Sequence, residues 1–230
     1  MARQAQADGI EAICATPHIR HDHDVHIPEL PRRLAELTAA VRDAGLSTRI
    51  LSGGEVAATA VAGLQDDELA AISLGGSRRW ILLEPQPGPL DERLDAAAQA
   101  LQDRGYRSLI AHPERHAGAD LIERLAGLIE RGALVQATAA YFTTDGSREG
   151  MLSLARAGVV HVLASDSHSS RAGRPVALSA ALRELRTVEP LAGHLDWMAR
   201  TAPATIVRGA DLTPPFAARG SWPAGPSRSG

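Results

Sequence analysis

The sequence is poor in several residue types, and each shortage excludes a class of protein. A single cysteine rules out a disulfide framework and any zinc or iron–sulfur site built from cysteines. There is no lysine, so arginine supplies all 24 basic side chains, and the net charge of −3 argues against a basic face for nucleic acid or membranes. No apolar run approaches the roughly 18 residues of a membrane span, and the first residues do not resemble a signal peptide. We therefore expect a cytoplasmic protein with neither a nucleic-acid partner nor a membrane span.

The residues that are present indicate a folded α/β protein. Of the 230 residues, 44% are hydrophobic and 22% are charged, which is ordinary for a globular chain. Short apolar runs typical of buried strands occupy residues 9–15, 49–52, 80–83, 108–111, 134–137 and 159–164. Segments with helical periodicity lie between them, around residues 30–41, 94–101, 121–129 and 178–185. This alternation predicts a largely parallel sheet.

A polar residue follows each apolar run, and these residues recur at intervals of about 30, the length of one βα unit. They are His18, Glu55, Glu84, His112, Thr138 and Asp166, with His168 two positions after the last. In an extended segment, residues i and i+2 point the same way, so Asp166 and His168 can share one face. Because the strand ends of a βα barrel meet at one mouth, these side chains are expected to converge there. Histidines and carboxylates without cysteine suit Zn, Mn or Fe better than Ca or Mg.

The motifs ATPH, GGE, LLEP, AHPER and SDSH, in that order, resemble those of the PHP (polymerase and histidinol phosphatase) superfamily. HPER, together with an Arg-Pro shortly after SDSH, is similar to one branch in particular, the manganese-dependent tyrosine-protein phosphatases of bacterial capsule and exopolysaccharide loci. The resemblance extends from about Met1 to Gly209. It implies a distorted (β/α)7 barrel with three metal ions at its mouth, most often Mn²⁺, with Zn²⁺, Fe²⁺ and Co²⁺ as alternatives. It also implies a phosphoric monoester hydrolase that acts through metal-activated hydroxide.

Carried over motif by motif, the resemblance assigns roles to eight residues. One metal would be held by His18 and His168, a second by Glu84 and His112, and a third by Asp166, with Glu55 bridging the second and third. Arg115 and Arg174 would bind phosphate, for which arginine forks are well shaped. The alternative for Arg115 is a surface ion pair with Glu114.

The chain departs from the family at its start. Family members open with a strand that carries Asp-x-His-x-His and then a further Asp, and this sequence has neither. We therefore expect a barrel that lacks its first strand, in which only the site of Glu55, Glu84 and His112 keeps all its protein ligands. Met1 would then be an internal methionine of the first helix. The expected organisation is a metallophosphatase domain over residues 1–213, truncated at its amino terminus, and a disordered Pro/Gly/Ser-rich tail over residues 214–230.

Two other patterns compete with this interpretation. Residues 14–20 match C-x5-R, the phosphate loop of cysteine-dependent phosphatases, but Pro17 removes one of the backbone N–H groups that such a loop needs. Cys14 is therefore expected to pack as a strand residue. The second pattern is the group of His21, His23 and His26, which we interpret as a solvated lid at the barrel mouth rather than as a metal site.

Three functions follow from the sequence. The first is a metal-dependent phosphatase of phosphotyrosine proteins in capsule or exopolysaccharide regulation, with the Tyr-rich tail of a bacterial tyrosine kinase as the expected partner. The second is a small-molecule phosphomonoesterase similar to histidinol phosphatase. The third is an inactive, metal-poor remnant.

Overall fold

The computed structural model describes residues 1–116, 118–169, 171 and 173–218. In this part of the chain, strands and helices alternate as predicted. The strands are β1 (Ala12–Cys14), β2 (His18–Ile19), β3 (Arg49–Leu51), β4 (Glu55–Ala57), β5 (Trp80–Glu84), β6 (Arg107–Ile110), β7 (Leu134–Thr138) and β8 (Val162–Ala164). The α-helices are α1 (Ala2–Ala7), α2 (Leu30–Asp43), α3 (Asp66–Ile72), α4 (Glu92–Asp103), α5 (Leu121–Glu130), α6 (Arg148–Arg156), α7 (Ser179–Leu185) and α8 (Ala202–Val207).

Six of the strands form one parallel sheet in the order β2-β4-β5-β6-β7-β8. Each crossover within this sheet carries helical segments, which is the connection that parallel strands require. The predicted α/β class with a parallel sheet is therefore confirmed. Within the described residues, β8 pairs only with β7, and β2 pairs only with β4.

The remaining strands, β1 and β3, pair in parallel as a separate two-stranded sheet. This corrects one expectation, because the apolar runs at residues 9–15 and 49–52 do not lie in the main sheet. The β1–β3 pair nevertheless leads into the β2–β4 pair, because Ala15 N–H donates to Leu51 O and Glu55 N–H donates to Pro17 O. Pro17 has no N–H of its own, so it interrupts the ladder between the two pairs. His18 and Glu55 are therefore the first residues of the short strands β2 and β4, and they do not follow the ends of longer strands.

Alternate strand residues face opposite sides of the main sheet. In β5, Ile81 and Leu83 pack with the large core under the helices, whereas Trp80 and Leu82 pack with a smaller cluster that α8 covers. Glu84 has the same parity as Trp80 and Leu82, so β5 carries it to the carboxyl end of the sheet on the side of that smaller cluster. The fold thus places polar residues beyond an apolar interior.

The segment after α8 returns to the core. Phe216 stacks on the buried ring of His161, with ring centroids 5.6 Å apart, and meets the edge of Trp197. The predicted disordered tail therefore begins with a packed stretch, and residues 219–230 lie outside the described residues, where the expected disorder stays a prediction. Among the described helices, none is both long and apolar enough to cross a membrane.

Candidate active site

Four predicted metal ligands meet at the carboxyl end of the sheet. His112 Nε2 lies 2.7 Å from Glu55 Oε1 and 3.9 Å from Glu84 Oε1. His18 Nδ1 lies 3.3 Å from Glu55 Oε2 and 3.9 Å from Glu84 Oε2. Glu55, Glu84 and His112 are buried, and His18 is half-buried. Two imidazoles and two carboxylates from four elements therefore enclose one small volume.

The electrostatics of this cluster favour a cation. Burial alone would raise the pKa of Glu55, but its hydrogen bond with His112 and the charges of His112, His18 and Arg115 outweigh burial and lower it. Glu55 is thus a carboxylate at neutral pH, close to the carboxyl group of Glu84. Two carboxylates that share a buried site repel each other unless positive charge lies between or beside them.

The position of a histidine ring nitrogen in the cluster shows whether a metal ion fits there. His18 Nδ1 is buried and makes no hydrogen bond within the described part of the chain, although it faces both carboxylates. One ligand atom each from His18, Glu55 and Glu84 can be chosen so that all lie within 4.8 Å of one another. A buried imidazole nitrogen that faces two carboxylates is well placed to bind a transition-metal ion. The residues therefore fit a divalent metal ion.

The backbone at His112 has an unusual conformation that aims its side chain. His112 has φ 30° and ψ 58°, in the left-handed region that residues other than glycine rarely adopt. It follows Ala111, which packs in the smaller cluster, so a continued strand would turn His112 toward the opposite face. The left-handed turn instead brings its ring to Glu55. Asp166, with φ 45°, is the second site residue in this conformation. Such conformations cluster at functional sites.

Beside the cluster lies an arginine pair centred on Asp166. The carboxylate of Asp166 is almost wholly buried and forms ion pairs with both Arg115 and Arg174, the latter at 2.8 Å. Arg174 also donates to the backbone oxygen of Asp166, from Nε at 2.8 Å and from Nη2 at 2.6 Å. The predicted alternative for Arg115, an ion pair with Glu114, does not form in the structure: Arg115 pairs with Asp166, and Glu114 Oε1 accepts the N–H of Thr138.

His168 links the two groups of residues. Its Nε2 lies 3.0 Å from His18 Nε2, and its Nδ1 lies 3.1 Å from the backbone oxygen of Asp166. This contact joins β2, at one edge of the main sheet, to the segment after β8 at the other edge. The structure thus brings all eight predicted site residues to one end of the sheet.

Comparisons with known proteins agree with this geometry. A family model described as "Capsular polysaccharide synthesis, CpsB/CapC" matches residues 1–189. The chain belongs to the CpsB/CapC family. Its family resemblance, predicted from the motifs, is thereby confirmed.

Two relatives of this CpsB/CapC chain are 30% identical to it. They are the putative tyrosine-protein phosphatase CapC of Staphylococcus aureus, over 176 residues, and the tyrosine-protein phosphatase YwqE of Bacillus subtilis (strain 168), over 185 residues. Each match covers 74% of this chain and 68% of the relative. A solved structure, from work on YwqE of B. subtilis and CpsB of Streptococcus pneumoniae described as "unique metal-dependent tyrosine phosphatases", superposes with a TM-score of 0.78 at 25% identity. That match covers 95% of this chain and 90% of the other.

The structure adds residues to the CpsB/CapC site that sequence reasoning missed. The Tyr141 hydroxyl oxygen accepts a hydrogen bond from Arg174 Nη1 at 3.4 Å, and the Tyr141 ring lies 5.8 Å from the same guanidinium. Arg20 Nη1 lies 3.5 Å from both carboxylate oxygens of Glu84. Neither residue belongs to a metal motif, and the only available signal was a position just after a short strand. Thr138, noted only as a strand end, lies 3.5 Å from the carboxylate of Asp166.

The two competing patterns are resolved differently. Cys14 donates its thiol to Ser52 O at 2.9 Å, and burial raises the pKa of this thiol to about 11, so Cys14 is a packed residue as expected. In the histidine-rich loop, the ring of His23 lies 4.9 Å from that of His18, while His21 and His26 are exposed. The loop therefore borders the mouth, and its role as a lid stays a prediction.

Proposed function

We propose that this chain is a metal-dependent protein-tyrosine phosphatase whose metal site includes His18, Glu55, Glu84 and His112. The observation that carries the proposal is the meeting of these four side chains directly beside an arginine pair. Metal ligands and phosphate-binding arginines are the two parts that phosphoryl transfer to water requires. The names of the two relatives supply the substrate class.

Mn²⁺ is the proposed physiological ion, because the donors are imidazole and carboxylate without thiolate. When bound, it supplies Lewis-acid chemistry, which activates water and neutralises charge on the phosphoryl oxygens. His168, which meets His18, is proposed to share an ion with it, and Asp166, next to His168, is the proposed ligand of another ion. The expected three-metal cluster is thus proposed for the end of the sheet.

The residues of the chain have separate tasks in this proposal. Arg115 and Arg174 bind the non-bridging oxygens of the phosphoryl group, and Asp166 holds both guanidinium groups in place before substrate arrives. Tyr141 packs on Arg174 and fixes its second face. Glu55 stays ionised at neutral pH, and its contact with Nε2 holds the His112 ring in the site.

The proposed protein substrate is a phosphotyrosine tail, with a bacterial tyrosine kinase in capsule or exopolysaccharide synthesis as the partner. The CpsB/CapC family description places its members in capsular polysaccharide synthesis, which supports this choice. A tail can present phosphotyrosine without the need for the site to admit a folded surface.

The test is turnover of a phosphotyrosine peptide, p-nitrophenyl phosphate and histidinol phosphate by the same preparation, with Mn²⁺, with EDTA, and after Mn²⁺ is restored. We expect hydrolysis of the first two, loss with EDTA and recovery with Mn²⁺. Glu55→Gln should lower kcat/KM by about one to three decades, whereas the matched exposed control Glu149→Gln should not change it. Preference for histidinol phosphate, or a protein that binds Mn²⁺ without hydrolysing any of the three, would overturn the proposal.

A further inference from the structure

A cavity of about 240 Å³ lies at the opposite end of the main sheet from the candidate active site. It opens where β5, β6 and β7 begin, between these strand starts and helices α4 and α5. Its polar lining is Arg79, Arg107, Ser108, Arg131, Gln99 and Gln102. At about 3.3 Å per residue along β6, Arg107 lies roughly 17 Å from His112, so the cavity is separate from the metal cluster.

The lining carries more positive than negative charge. Arg79 and Arg107 share one carboxylate, Asp211, at 2.7 Å and 3.1 Å, and Arg131 pairs with Asp95. Three guanidinium groups therefore meet two carboxylates. Asp211 is largely exposed. Within the part of the chain that the structure describes, Arg107 Nη2 makes no hydrogen bond.

A buried hydroxyl in the same lining lacks a partner. Ser108 is 5% exposed, and its Oγ makes no hydrogen bond to any described residue. Ser108 lines the cavity and has the same strand parity as Ile110, which packs in the core under the helices. A buried polar group without a partner costs free energy unless water or a ligand satisfies it.

The backbone at Gly132 leaves room for a guanidinium group at this end of the sheet. Gly132, just after α5, has φ +93°, and a Cβ there would lie 2.5 Å from Arg107 Nη1. Any side chain at this position would therefore displace the Arg107 guanidinium as well as strain the backbone. Arg107 Nη1 instead lies 3.4 Å from Gly132 O.

We propose that this cavity binds a small molecule through an oxyanion group, either a phosphate or a carboxylate. Arginine forks match both anions, and the Ser108 hydroxyl supplies a further donor. The cavity has the volume of about eight water molecules, which suits a compact metabolite. Its position behind α4 and α5 makes it a second ligand site, independent of the proposed phosphatase chemistry.

The test is calorimetric titration of inorganic phosphate and, separately, of succinate into protein freed of metal by EDTA and dialysis. Two variants address the cavity: Arg107→Gln with Arg131→Gln removes charge, and Ala98→Phe fills the space from α4 while keeping every arginine. The matched control is Arg156→Gln, an exposed arginine on α6. Because phosphate can also bind the arginine pair of the active site, a preparation with Arg115→Gln and Arg174→Gln is titrated in parallel.

We expect at least one probe to bind to wild type, to the Arg156→Gln control and to the active-site double variant alike. Binding should weaken at least tenfold in both cavity variants, while their turnover of p-nitrophenyl phosphate stays within twofold of wild type. The tighter probe then identifies the ligand as a phosphate or a carboxylate. Binding that disappears only in the active-site variant, or that survives in Ala98→Phe, would overturn the proposal. Should the double arginine variant fail to fold, Ala98→Phe decides alone.

Discussion

A buried histidine makes the stability of this protein depend on pH in a way that one substitution should remove. His161 is fully buried, and its Nδ1 accepts the backbone N–H of Val135 at 3.1 Å. Its Nε2 has no hydrogen-bond partner among the described residues, and its ring stacks on Phe216. Burial without a counter-charge lowers the pKa of His161 from 6.5 to about 4.

The sign and the size of the pH effect on the free energy of unfolding follow from proton binding by His161. Between pH 6.5 and pH 4 the unfolded chain protonates this histidine while the folded chain does not, so acid in this range favours unfolding. The full difference in pKa corresponds to about 3 kcal/mol. At pH 5 the free energy of unfolding should already be about 2 kcal/mol lower. Below pH 4, His161 should lower it no further.

The assay is urea unfolding in EDTA at pH 7.5 and pH 5, for wild type and for His161→Asn. Asparagine keeps an oxygen that can accept the Val135 N–H but does not titrate. The smaller side chain should lower the free energy of unfolding at both pH values, since it leaves a space beside Phe216. Wild type should lose about 2 kcal/mol more than His161→Asn between the two pH values. Equal losses in the two proteins would show that His161 is not the source of this pH dependence.

Three further predictions address other parts of the structure. Cys14→Ser should keep turnover of p-nitrophenyl phosphate within a few-fold of wild type, and complete loss at unchanged metal content would indicate thiolate chemistry. Arg115→Ala and Arg174→Ala should each lower kcat/KM while metal content stays intact, by an amount that corresponds to about 2–4 kcal/mol of lost transition-state stabilisation. If either arginine served only in a surface ion pair, the loss would be below ~1 kcal/mol. Burial alone would raise the pKa of Asp8. Its carboxylate, however, accepts hydrogen bonds from the Ser179 hydroxyl and from two backbone N–H groups at the start of α7, and these lower the pKa. Asp8→Ala should therefore cost about 1 kcal/mol in thermal unfolding at pH 7, and the difference should shrink as the pH falls below about 3.8; a constant difference would contradict the capping role.

The parts of the fold that could be predicted from sequence are those in which apolar residues run without interruption. The run predicted as a strand at residues 80–83 is observed as Trp80–Glu84, because a parallel strand covered on both faces must be apolar throughout. The helix predicted around residues 121–129 is observed as Leu121–Glu130, because its leucines recur on one face. The convergence of the polar strand ends follows from the same regularity.

Other features could not be predicted, because long-range contacts or backbone conformation decide them. The strand His18–Ile19 has only two residues, too few for any periodicity, and pairing with Glu55 and Val56 creates it. The partner of Arg115 is Asp166, which is 51 residues away, and not its neighbour Glu114. The left-handed turn that directs His112 has no signature in the sequence. The individual metal and phosphate roles remain predictions, to be tested by experiment.

The most direct measurement is anomalous diffraction at the manganese absorption edge from crystals of this protein soaked in MnCl₂. We expect an anomalous peak bounded by His18 Nδ1, the carboxylates of Glu55 and Glu84, and His112 Nε2, with the guanidinium groups of Arg115 and Arg174 facing it. The absence of a peak at this position from crystals of protein that hydrolyses phosphotyrosine in Mn²⁺ would contradict it, as would a peak held only by His21, His23 and His26.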